Sequence, residues 1–131
     1  MDVPHLARVL IVAANDGLRG SLHGAIEAAG HDVVEAADAL VALHAYQSVP
    51  ADVVIVDVEA PGRLAAPDFL RRLRGVFPDA RVITLAGRPS FRGSDTLAVT
   101  HGLGAVRALR MPATREQLLK AIDEARTTRL N

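Results

Sequence analysis

Three runs in this chain are apolar at consecutive positions, and each is followed by a stretch with helical or turn character. They are Arg8-Val9-Leu10-Ile11-Val12-Ala13, Asp52 to Asp57, and Arg81-Val82-Ile83-Thr84-Leu85. None alternates polar with apolar residues, as a strand with one wet face does. Such runs read as strands buried on both faces, which requires a parallel sheet with helices above and below it. Shorter strands are expected at Asp32 to Glu35 and at Ala105 to Leu109.

Between the strands the apolar spacing becomes helical. Leu18, Leu22, Ile26 and Ala29 share one helix face; Asn15 or Asp16 can cap it, and Gly30 suits its end. Asp38 opens a helix through Leu40, Leu43 and Tyr46 that stops before Pro50. Pro67 fits the first turn of a third helix, with Phe69, Leu70, Leu73, Val76 and Phe77 inward and Arg71, Arg72 and Arg74 outward. A fourth is expected at Asp95 to His101. Thr114 and Gln117 give the capping-box pattern of the last one, buried through Leu118, Leu119, Ile122 and Ala125. The reading is α/β: a five-stranded parallel sheet flanked by five helices. Residues 1–131 form one domain, with its core at about 8–125.

Composition narrows the function. Lys plus Arg and Asp plus Glu each number 15, so the formal charge is zero. Direct nucleic-acid binding and anionic-membrane binding call for clustered positive charge and are not expected. The chain has no cysteine, which excludes disulfides, thiolate catalysis and cysteine-bound metals. Met1 to Leu6 does not read as a signal peptide, and no apolar run reaches the ~18 residues that span a bilayer. A cytoplasmic protein is the expectation.

Right-handed crossovers and the common strand order 2-1-3-4-5 put the switch point between strands one and three, where ligands sit at the carboxyl ends. Ala13 to Asp16 and Asp57 fall there. Asp57 closes the central strand and is followed by Pro61-Gly62.

These residues resemble the receiver domain of bacterial response regulators, a CheY-like, flavodoxin-like fold. The likeness runs from about Arg8 to Ala125. It is carried by Arg8 to Val12 with Arg19 and Leu22, by Ala28 to Ala36, by Asp52 to Asp57 with Pro61-Gly62, and by Gly104-Ala105 leading to Met111-Pro112 and Thr114 to Leu119. The resemblance implies a phosphoacceptor at Asp57. It also implies an acidic pair holding Mg²⁺ at positions 13 and 14, a hydroxyl at position 86 and a lysine at position 111. Here those positions are Ala13, Ala14, Ala86 and Met111. It further implies a cis peptide before Pro112, against the general trans preference.

Mg²⁺ takes near-octahedral oxygen ligands, and phosphoryl transfer relies on the charge that metal and cations supply. Alanine and methionine side chains supply neither. The expectation is therefore an atypical receiver domain of two-component (phosphorelay) signalling. It is not an enzyme, is independent of phosphorylation, has no cofactor or metal, and acts through protein contacts. One alternative is a conventional Mg²⁺-dependent phosphoacceptor at Asp57, with Asp16, Glu59, Arg88 and Arg92 as relocated helpers. The plainer role of Asp16 is as a helix cap. Another is a small-molecule or nucleotide binding domain at the same cleft, using Gly17 to Gly20 with Arg88 and Arg92. The plainer reading of Asp57 is a relic carboxylate in apolar surroundings.

The resemblance also implies a partner face on the fourth helix, fifth strand and last helix, comprising Leu97, His101, Arg107, Arg110, Arg115 and Lys120. Its partner would be a histidine kinase, an output domain or another regulator, with a homodimer through the same face as a further option. An ordinary solvated face is the plainer reading. His5, His23, His31, His44 and His101 lack ligand spacing and read as surface or loop residues.

Overall fold

The computed structural model describes residues 6–58, 64–86 and 101–128. The elements, in chain order, are β1 (Arg8–Val12), α1 (Asp16–Ala28), β2 (Asp32–Ala36), α2 (Ala39–Ser48), β3 (Val53–Asp57), α3 (Ala66–Val76), β4 (Val82–Ala86), β5 (Arg107–Arg110) and α4 (Arg115–Thr127). The five strands form one sheet in the order β2-β1-β3-β4-β5, and every neighbouring pair is parallel. Four of the five expected helices are seen. Of the remaining one, 95–100 lies outside the described residues, while His101 is helical.

Side chains of a strand alternate between sheet faces, and the two faces hold separate cores. Leu10, Val12, Val54, Val56 and Val82 pack with Phe69, Leu70 and Leu73 of α3 and Ala42 and Tyr46 of α2. Val9, Ile11, Val53, Ile55, Ile83 and Leu85 pack with Leu22 and Ile26 of α1 and Leu118 and Ile122 of α4. The unbroken aliphatic runs are thus explained: odd and even positions both meet helices.

The helix ends follow local chemistry. Asn15, not Asp16, caps α1: its Oδ1 accepts from the Leu18 N–H at 2.8 Å. Asp16 is already the first helical residue, so its expected capping role is corrected. At the other end the Gly30 N–H donates to the Glu27 carbonyl and the His31 N–H to that of Ile26, with Gly30 at φ 97°. This is a Schellman closure, which needs a left-handed residue where Gly30 stands. Asp38 caps α2 through the Val41 N–H, and Thr114 and Gln117 form the reciprocal capping box of α4. Pro67 lies in the first turn of α3.

Every strand differs from expectation by one or two residues: β1 stops at Val12, β2 runs on to Ala36, β3 starts at Val53, and β4 and β5 shift at both ends. β4 is Val82–Ala86, not Arg81 to Leu85. The Arg81 guanidinium instead reaches the carbonyls of Ala125 and Thr128, where α4 ends. β5 starts at Arg107, not Ala105. It is an edge strand, so long polar side chains sit there without burial, and apolar content misplaces it.

Candidate functional site

The carboxyl ends of β1, β3, β4 and β5 form one rim. Asp57 is the last residue of β3 and is buried, at 7% relative exposure. It stands in register with Leu85 of β4, and the next residue donates its N–H to the Leu85 carbonyl at 2.9 Å. Ala13 follows β1, is fully buried, and donates its N–H to the Ala36 carbonyl. Ala14, next to it, is exposed. Ala86 ends β4 and packs with Val58 and Ala66 in a small apolar cluster beside the rim. Met111 follows β5, is half-buried, and its N–H donates to the Ala86 carbonyl at 2.7 Å. The Met111–Pro112 peptide is cis.

The four substituted positions therefore lie at strand ends around Asp57, and their side chains are methyl groups and a thioether. A magnesium site needs several hard oxygens, including carboxylates, and positions 13 and 14 provide none from their side chains. Among the described residues no cluster of three His, Asp or Glu groups is placed to hold a metal. Among the described residues the side chains at this rim do not supply the donor set that Mg²⁺ takes.

The helper candidates divide. The Asp16 carboxylate is exposed and pairs with Arg19 at 2.6 Å. Asn15 is committed to the cap. Gly17 to Ser21 lie in the first turns of α1, where the Leu18 N–H donates to the Asn15 side chain and the Arg19 N–H to the Asn15 carbonyl. Glu59, Arg88, Arg92 and Leu97 lie outside the described residues.

Sequence reasoning missed a polar chain beside the rim. Arg19 uses its whole guanidinium: Nε donates to Glu35, Nη1 to the Ala13 carbonyl at 2.7 Å, and Nη2 to Asp16. Glu35 in turn meets His23 Nδ1 at 2.8 Å, while His23 Nε2 meets Glu27 at 3.0 Å. Both ring nitrogens face carboxylates, which only an imidazolium satisfies as donor to each. The hydrogen bond to Glu27, then that to Glu35, raises the His23 pKa above its ordinary value. The available signal was the spacing of Arg19, His23 and Glu27, four apart on one helix face. His31 is likewise more than a loop residue: its Nδ1 accepts the Ala7 N–H at 3.0 Å and ties the entries of β1 and β2.

Of the residues expected to form a partner face, all but Leu97 are among the described residues. His101, Arg110, Arg115 and Lys120 are exposed. Arg107 is half-buried and pairs with Glu124 of α4 at 2.9 Å. Lys120 lies 3.9 Å from the same Glu124. No helix among the described residues is long and apolar enough to cross a membrane.

Comparison with known proteins agrees with this architecture. A response regulator receiver domain from Clostridium thermocellum superposes with a TM-score of 0.83 at 28% identity, covering 92% of this chain and 94% of that one. The chemotaxis response regulator CheY4 of Vibrio cholerae gives 0.80 at 26% identity, covering 92% and 99%. NtrX of Brucella abortus gives 0.84 at 23% identity; 93% of this chain is covered but only 27% of NtrX, and that likeness speaks to fold alone. No curated protein matches the chain. Residues 9–123 match the family described as the response regulator receiver domain. The chain therefore belongs to the receiver domains of two-component response regulators, with a CheY-like fold.

Proposed function

We propose that this receiver domain works without phosphorylation, as a protein-interaction module with no catalytic activity of its own. The observation that carries the reading is the rim itself. Asp57 closes β3 while the rim positions that would hold metal and phosphoryl oxygens are Ala13, Ala14, Ala86 and Met111. A single lost electrostatic stabiliser removes ~3–4 kcal/mol from a transition state. Several lost together leave ordinary phosphoryl transfer very slow, although the losses do not add. The conformational switch weakens for the same reason, because a ligand shifts an equilibrium only through contacts that differ between states. Ala86 has no hydroxyl to follow a phosphoryl group. Signalling then runs through a protein partner in the cytoplasm: a histidine kinase, an output domain or another regulator. The β5–α4 face, with Arg107, Arg110, Arg115 and Lys120, offers cations for an acidic partner surface.

The test is direct. The protein is incubated with Mg²⁺ and a small phosphodonor, then its intact mass is measured. The expected spectrum shows the unmodified mass alone. A stoichiometric phosphate adduct that disappears in Asp57→Asn rejects this reading in favour of the conventional phosphoacceptor.

A further inference from the structure

The opposite edge of the sheet has a different character. β2 is a terminal strand, paired only with β1. Beside it runs α2, whose ten residues include no charged side chain. Among the described residues five large hydrophobic side chains are exposed, and three lie here: Val34 at 38%, Val41 at 45% and Val49 at 50%. Val41 and Ala45 are one helical turn apart, with Val49 a further turn on. A groove of about 270 Å³ lies between helix and strand, lined by Arg8, Leu10, Val34, Ala45, Val49 and Ala51. The Arg8 guanidinium at its end makes no ion pair among the described residues. The polar residues His44, Gln47 and Ser48 are exposed elsewhere on α2, whereas the stripe facing the groove is apolar, and an apolar stripe of a surface helix is normally covered.

We propose that this face is covered by a second copy of the chain, related by a two-fold axis through Val34 and Ala45, with the β2 strands pairing antiparallel. The main chain supplies the register. The Asp32 N–H and the Ala36 carbonyl both point to β1, so by the strand's period of two Val33 and Glu35 present their groups outward. An antiparallel pair centred on Val34 sets Val33 opposite Glu35 of the copy, and these exchange both hydrogen bonds. Val34 meets Val34 in the non-hydrogen-bonded site, where side chains come closest. No like charges oppose each other along the pair.

The helices fit the same axis. α2 contacts both β2 and β1. With strands about 4.8 Å apart, a helix lying over the gap between them comes to about 10 Å from its copy, within reach of the usual helix-packing distance. Ala45 then faces Ala45, and Val41 faces Val49 of the copy. Each Arg8 is carried toward the amino end of the other α2.

The inference does not depend on whether Asp57 takes a phosphoryl group, and its test reads mass and association instead of chemistry. Sedimentation of the wild-type chain up to sub-millimolar concentration should show a dimer. Val34→Lys, which sets two ammonium groups face to face, should give a monomer with an unchanged circular dichroism spectrum. Val34→Cys, in a chain with no cysteine of its own, should form a disulfide-linked dimer on mild oxidation. Arg110→Cys on the far edge should not. A wild-type chain that stays monomeric, a dimer that survives Val34→Lys, or a Val34→Cys chain that fails to cross-link overturns the proposal.

Discussion

Asp57 and its neighbours show how little of a site's chemistry lies in one residue. The carboxylate holds its place because the β3 backbone puts the last strand residue at the rim. What that carboxylate can do depends on side chains that come from β1, β4 and β5. Their places came from the resemblance to receiver domains: Ala13, Ala14 and Met111 follow strand ends, and Ala86 closes β4. The Arg19–Glu35–His23 chain was not legible, because its members come from two elements and each has an ordinary solvated role when read singly. It yields a prediction with a definite sign. The folded-state pKa of His23 is raised, so its contribution is fully present below the unfolded value of about 6.5 and is lost as pH rises through the folded value. Urea midpoints of His23→Ala should fall below wild type at pH about 5.5 and converge on it in alkaline buffer. An equal deficit at both values assigns His23 a packing role instead.

Elements here are closed by local signals, and these were the most readable parts of the chain. Asp38 and the Thr114–Gln117 box stand where the sequence puts them, because a cap acts over four residues and needs no tertiary context. Thr114→Ala should lower stability by about 1 kcal/mol, with Thr114→Ser close to neutral, as followed by chemical denaturation. A loss near zero shows that α4 is held by its buried face alone. The strand ends were less readable. Arg81 looks like a strand residue by position but acts as a staple at the end of α4, and Arg107, expected in the fifth strand as part of a partner face, pairs with Glu124 of α4. Both depend on what lies across the sheet, which spacing along one chain does not encode. The capping choice between Asn15 and Asp16 turned on a single local hydrogen bond, from the Leu18 N–H to the Asn15 side chain.

At the scale of the whole molecule, the sheet separates three surfaces. The carboxyl rim carries Asp57 among apolar side chains. The β5 edge carries cations, and the β2 edge carries an uncharged helix and an open strand. On the proposed reading, protein contacts run through these two edges, and the edges differ in chemistry enough to take different partners. The two-sided core was readable from the aliphatic runs, while the strand order that makes β2 and β5 the edges came from the common five-stranded topology. The measurement that bears most directly on the central claim is an amide NMR titration with Mg²⁺ and beryllofluoride, a phosphoryl mimic. The account predicts no saturable shifts at Asp57, at Ala86 or along β5. Saturable shifts at those positions, removed by Asp57→Asn, would contradict it.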